Sequence, residues 1–143
     1  MYQILFTSLL SGLLAQLVKL FIKSNDRKFN WQSFFSYSGL PSSHAAFVAS
    51  LTMITGLTQG FDSPAFAICF IFSILVIRDA LGLRRYLGQH GEIINALIKD
   101  LKEDKMLDET YPRLLEKIGH TPLQIIAGSL IGVFIGLISY LIF

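Results

Sequence analysis

Four apolar runs, over residues 2–22, 43–60, 64–81 and 121–143, leave a chain of 143 residues few ways to fold. A helix of about 20 apolar residues is what crosses the hydrocarbon core of a bilayer. Charged residues make up only 15% of the chain, against about 25% in an ordinary soluble domain, and 52% of it is hydrophobic. The mean hydropathy is +0.56. These features predict an all-α fold: one integral membrane helical bundle over residues 1–143 with about four transmembrane helices. The first run lacks the basic flank and small-residue cleavage site of a secretory signal, so it reads as a retained helix. Cys69 is the single cysteine and lies in an apolar run, which leaves no disulfide framework and no cysteine metal site.

The charges are not spread evenly. Residues 78–120 hold eight of the twelve Lys/Arg and eight of the ten Asp/Glu. Within that stretch Leu87, Ile94, Leu97, Ile98 and Leu101 recur near helical spacing. The pattern predicts an amphipathic cytoplasmic segment over 82–120, lying on the membrane or against the bundle. A polar break is expected at 104–110 and a second short helix at 111–118. Residues 23–37 are polar but carry Trp31, Phe34, Phe35 and Tyr37, which suits a membrane interface. The turn Phe61-Asp62-Ser63-Pro64 is too short for anything but an antiparallel hairpin of the second and third spans. In the last run Gly128, Gly132 and Gly136 form a close-packing stripe, a face on which two copies of the chain can also pair. Eleven of the twelve basic residues fall on one side of a four-span bundle. By the positive-inside rule that side is cytoplasmic, and both termini lie outside.

The chemistry-bearing residues collect on that same side. Gly39-Leu40-Pro41-Ser42-Ser43-His44 leads into the second span, with Ser42 or Ser43 suited to cap it. Gly119-His120-Thr121-Pro122 leads into the fourth, with Thr121 as cap and Pro122 at the first helical position. Each motif delivers a histidine to the mouth of an apolar helix, where unpaired N–H groups favour an anion. Arg78, Asp79, Arg84 and Arg85 sit at the end of the third span, and Lys19 lies near the same end of the first. Arginine forks match phosphoryl oxygens. One histidine serves as nucleophile and the other as general acid, with neither a metal nor another cofactor in the chemistry. An ionisable pair such as Arg78-Asp79 at a span end is costly unless paired or functional. Nucleic acid is not an expected partner; a phosphorylated lipid or other phosphomonoester is, together with the lipids of the membrane.

The Pro41-Ser42-Ser43-His44 stretch resembles the Pro-Ser-Gly-His motif of the type-2 phosphatidic acid phosphatase superfamily, which includes the vanadium-dependent haloperoxidases. The run from Gly119 to Gly128 resembles the last motif of that superfamily. With Arg78 to Arg85 between them, the order is similar to a small divergent branch of the superfamily, over nearly the whole chain. The resemblance implies a membrane phosphatase acting on a phosphomonoester, with His120 as nucleophile and His44 as the acid that protonates the leaving group. It also implies that Lys19, Ser43, Arg78, Arg84 and Arg85 hold phosphoryl oxygens. Three positions depart from the pattern. Ser43 replaces the motif glycine, Leu114 stands where an arginine is usual, and Gln124 replaces the aspartate that orients the nucleophile. Gln124 is then expected to hold the ring without supplying charge, and Asp79 is the candidate to supply it from another helix. Two further functions fit the same residues: an inactive relative that binds or translocates a phosphorylated lipid, and a structural membrane subunit.

Overall fold

The computed structural model describes residues 2–22, 39–103, 111–116 and 118–143, so the polar segments at 23–37 and 104–110 fall outside the described residues. The described residues form five helices: α1 (Tyr2–Phe21), α2 (Ser43–Gln59), α3 (Pro64–Leu81), α4 (Leu83–Glu103) and α5 (Pro122–Ile142). Their ends follow from local chemistry. Ser42, Ser63 and Thr121 cap α2, α3 and α5, each side-chain oxygen accepting a backbone N–H of the first turn. Pro64 and Pro122 occupy the start of their helices, where a missing N–H costs nothing.

α2 is the central helix, packing on α5, α1 and α3, while α1 also meets α5. Its contact with α5 is backbone against backbone. A Cβ added at Gly128 would run into the carbonyl oxygen of Ser42, and one at Gly132 into that of Ala46; at Gly136 it would lie 3.1 Å from Met53 Cβ. Rising numbers on α5 meet rising numbers on α2, so the two helices run parallel. α1 runs the other way, with Ser11 donating to the Ala46 carbonyl at 3.0 Å and Gln3 to the Ser139 carbonyl at 3.1 Å. The ends of α1 and α3 and the beginnings of α2 and α5 therefore share one end of the bundle. The glycine stripe is consumed inside the chain, so it is not the face on which two copies pair.

The interior is made of small and hydroxyl-bearing side chains. Thr7, Ser8, Ser11, Ala15, Ala45, Ala46, Ser50, Thr55, Ser73 and Ala80 are buried, while Phe6, Ile68, Ile71, Leu75, Leu130 and Phe134 are exposed. A water-soluble protein does not leave so much large apolar surface open. In lipid the arrangement is reasonable, because hydrocarbon covers the outside and small residues let backbones approach within. Hydroxyls then join helices: Thr52 and Ser73 lie 2.7 Å apart, Thr7 and Ser139 2.6 Å, and Ser73 donates to the Val48 carbonyl at 3.1 Å. Two stretches, Pro64–Leu101 and Pro122–Ile142, each contain a helical run long and apolar enough to cross a membrane. The architecture is an all-helical membrane bundle.

One expectation is corrected. Residues 111–116 are not helical. The Leu114 N–H and C=O, which a helix would pair internally, are both bonded to the side chain of Asn95. The amphipathic helix spans Leu83–Glu103, up to the expected break at 104–110. If the glycine contact sets the α2–α5 distance, Gly132→Ala should destabilise the protein by about 1–3 kcal/mol, as overpacking does. Thermal unfolding in detergent, with lipid-facing Leu130→Ala as the unaffected control, measures this.

Candidate functional site

The parallel start of α2 and α5 brings His44 and His120 together. Ser42 and Gln124 link the two helices, the Ser42 N–H donating to the Gln124 carbonyl at 3.0 Å. The imidazole rings are edge to face, with centroids 6.2 Å apart and planes at 71°. His44, the second residue of α2, is exposed at the mouth of this site. His120 lies beneath it with 4% of its surface accessible. Its Nδ1 is enclosed and has no hydrogen-bond partner among the described residues. That leaves Nε2 as the nitrogen able to meet a ligand.

His120 is held through its backbone. The helix breaks at Gly82, where φ is −104° and ψ −87°, and the Ala80 carbonyl accepts the His120 N–H at 3.1 Å. Gly119 takes a φ of +93°, which L side chains rarely adopt. A Cβ there would also sit 2.8 Å from the Arg85 backbone nitrogen. Further back, the chain lies in a groove on α4. A Cβ at Gly88 would strike the Glu116 carbonyl, and one at Gly91 would come within 2.8 Å of the Leu115 carbonyl. Asn95 closes the groove, donating to the Leu114 carbonyl at 2.9 Å and accepting its N–H at 3.0 Å. It also donates to Glu116 Oε1 at 2.9 Å.

The charged candidates divide. Lys19, at the end of α1, is buried to 5% exposure. A cation is favoured there by the carbonyl end of the helix. The Lys19 and Arg84 charges both act on His120 and on His44, and Asp79 acts on His44. Burial is the main cause that pulls the His120 pKa from 6.5 to about 4, with Lys19, His44 and Arg84 adding to it. The ring is therefore neutral at pH 7. Arg78 and Arg85 have exposed side chains and are not among these charges. Ser43 is half-buried as the first residue of α2, next to the cap.

Two expected roles do not hold. Gln124 does not orient the His120 ring, because its Oε1 accepts the Thr121 N–H at 3.0 Å while Thr121 Oγ1 caps the Gln124 N–H. This reciprocal capping box occupies the amide oxygen. Asp79 does not turn to the histidine either; its Oδ2 accepts from Arg84 Nε at 2.6 Å, an ion pair that spans the break at Gly82. Among the described residues no carboxylate bonds His120 Nδ1.

Gly88, Gly91 and Asn95 are positioning residues that the motif search missed. Their spacing of three and four residues, which places all three on one helix face, was the available signal. Asn95→Ala should cost about 0.5–1.5 kcal/mol, because the Leu114 groups it frees are exposed and water can satisfy them. Hydrogen exchange should show the Leu114 amide opening faster. Unchanged exchange at that amide would show that the groove does not hold the segment.

A family profile described as Divergent PAP2 family matches residues 1–135. An uncharacterized membrane protein, YuiD of Bacillus subtilis (strain 168), is 34% identical over 146 residues, which cover 94% of this chain and 91% of the relative. No solved structure matches. With its two motif histidines facing each other at one end of a helical membrane bundle, the chain belongs to the divergent PAP2 family.

Proposed function

We propose that the protein is a membrane phosphomonoesterase whose substrate is a lipid phosphate, bound from the cytoplasmic side between His44 and His120. The observation that carries this reading is the buried, neutral His120 set edge to face with His44 at 6.2 Å. Lys19 and Arg84 supply positive charge, and the first turn of α2 adds free N–H groups at the mouth. The Nε2 lone pair of His120 attacks phosphorus and the P–O ester bond breaks. His44 gives its proton to the departing oxygen. Water then attacks the phosphohistidine with His44 as base, releasing phosphate and restoring His120. Arg84 is shared with Asp79, and a bound phosphoryl group would compete with that carboxylate for the guanidinium.

A second reading has an observation of its own. With Gln124 in a capping box and Asp79 paired to Arg84, no acid among the described residues bonds Nδ1 of the cation that His120 becomes on phosphorylation. A protein with that deficit can bind or move a lipid phosphate without cleaving it.

Phosphate release from a panel of lipid phosphates, measured on detergent-purified protein, separates the two. The phosphatase reading expects release from at least one lipid, reduced by at least about 10³-fold in both His44→Ala and His120→Ala. The nucleophile is active when neutral, and its pKa lies near 4. The acid limb that belongs to it should therefore fall near pH 4, with no loss of nucleophile between pH 7 and 5. Binding without release from any lipid would favour the second reading.

A further inference from the structure

α4 presents two faces with different fates. One face, bearing Gly88, Gly91 and Asn95, is covered by the chain's own residues 114–116 and 118. The other carries Leu83, Tyr86, Leu87, Ile93, Ile94 and Leu97, which are between 42% and 67% exposed. At about 100° per residue these six side chains fall within an arc of about 120°. His90 sits within it. Arg84, Arg85, Glu92, Lys99 and Asp100 all fall outside. Among the described residues nothing covers the arc, and the strapped face fixes how the helix is turned.

We propose that this face of α4 is a membrane-interface surface, lying in the headgroup region of the leaflet on the same side as the histidine pair. The occupant follows from continuity. α4 begins one residue after α3, a helix whose Ile68, Ile71, Phe72 and Leu75 are open to lipid. The break at Gly82 takes the chain off the α3 axis where the hydrophobic span ends. Residues 83–87 then resume an apolar surface beside two arginines, which suit the phosphate layer. A helix with a wide apolar arc and a charged opposite face, but little net hydrophobicity, is the kind that lies in the interface plane rather than crossing it. Strapping residues 114–116 and 118 to the opposite face leaves the apolar arc free to enter the leaflet. This placement rests on the membrane bundle alone and stands or falls apart from any catalytic activity.

The test uses the full chain in vesicles of phosphatidylcholine and phosphatidylglycerol, with Cys69→Ala removing the native thiol. Single cysteines at Leu87, Ile94 and Leu97, and at Gln89, Glu92 and Ala96 on the polar face, carry a nitroxide label. Collision with oxygen, which partitions into lipid, is compared with collision with a water-soluble nickel chelate. The proposal expects an oxygen-to-nickel ratio severalfold higher for the first three sites than for the second three. Equal access to nickel at all six would overturn it. So would apolar-face labels shielded from both reagents with dipolar broadening between copies, which would assign the face to a second copy of the chain.

Discussion

The contact between α2 and α5 is the constraint on which the rest of the molecule depends. Three glycines let α5 lie directly on the α2 backbone, and the parallel course of the two helices then follows from the register Gly128–Ser42 and Gly132–Ala46. Lipid gives helices no hydrophobic reason to associate, so close backbone approach and hydroxyl bonds must do it. The buried serines, threonines and alanines answer that need. Setting both helix starts side by side is also what places His44 across from His120. The packing solution and the site are thus one arrangement: a bulky residue at Gly128 would part the helices at the turn that holds the histidines.

The electrostatics at that end have a consistent direction. Lys19, Arg84 and two helix N-termini favour a negative ligand, and burial keeps His120 neutral and available as a donor of electrons rather than protons. In the proposed phosphatase reaction the cost falls on the cationic intermediate. An aspartate on Nδ1 would stabilise it, yet among the described residues that nitrogen has no partner. A dianionic phosphoryl group between the rings would itself offset much of the positive field. This makes the unpartnered nitrogen less severe with substrate bound than without it.

Much of this was legible beforehand, for identifiable reasons. The apolar runs and their low charge announced a helical membrane bundle, and Thr121-Pro122 marked a helix start that the structure has at that position. The glycine stripe was readable as a packing face because its spacing matches a helix turn. What escaped were interactions in which a side chain bonds distant backbone. The apolar pattern of residues 111–118 suits a helix, but Asn95 takes the Leu114 backbone groups, and the described part, 111–116, is not helical. Gln124 stands at the motif position for an orienting group, yet three residues after Thr121 it is also the ideal partner for a cap, and the local bond wins. Asp79 likewise prefers the nearby Arg84 to a histidine on another segment.

The central claim is that one anion site is shared by both histidines. The most direct measurement is a titration of inorganic phosphate into detergent-solubilised protein carrying isotope-labelled histidine, followed by NMR. The account predicts that the His44 and His120 ring signals move together on one saturable curve while that of His90 stays still. Movement of His44 alone, or of neither, would mean that the histidines do not enclose a common phosphate, and the account would be wrong at its centre.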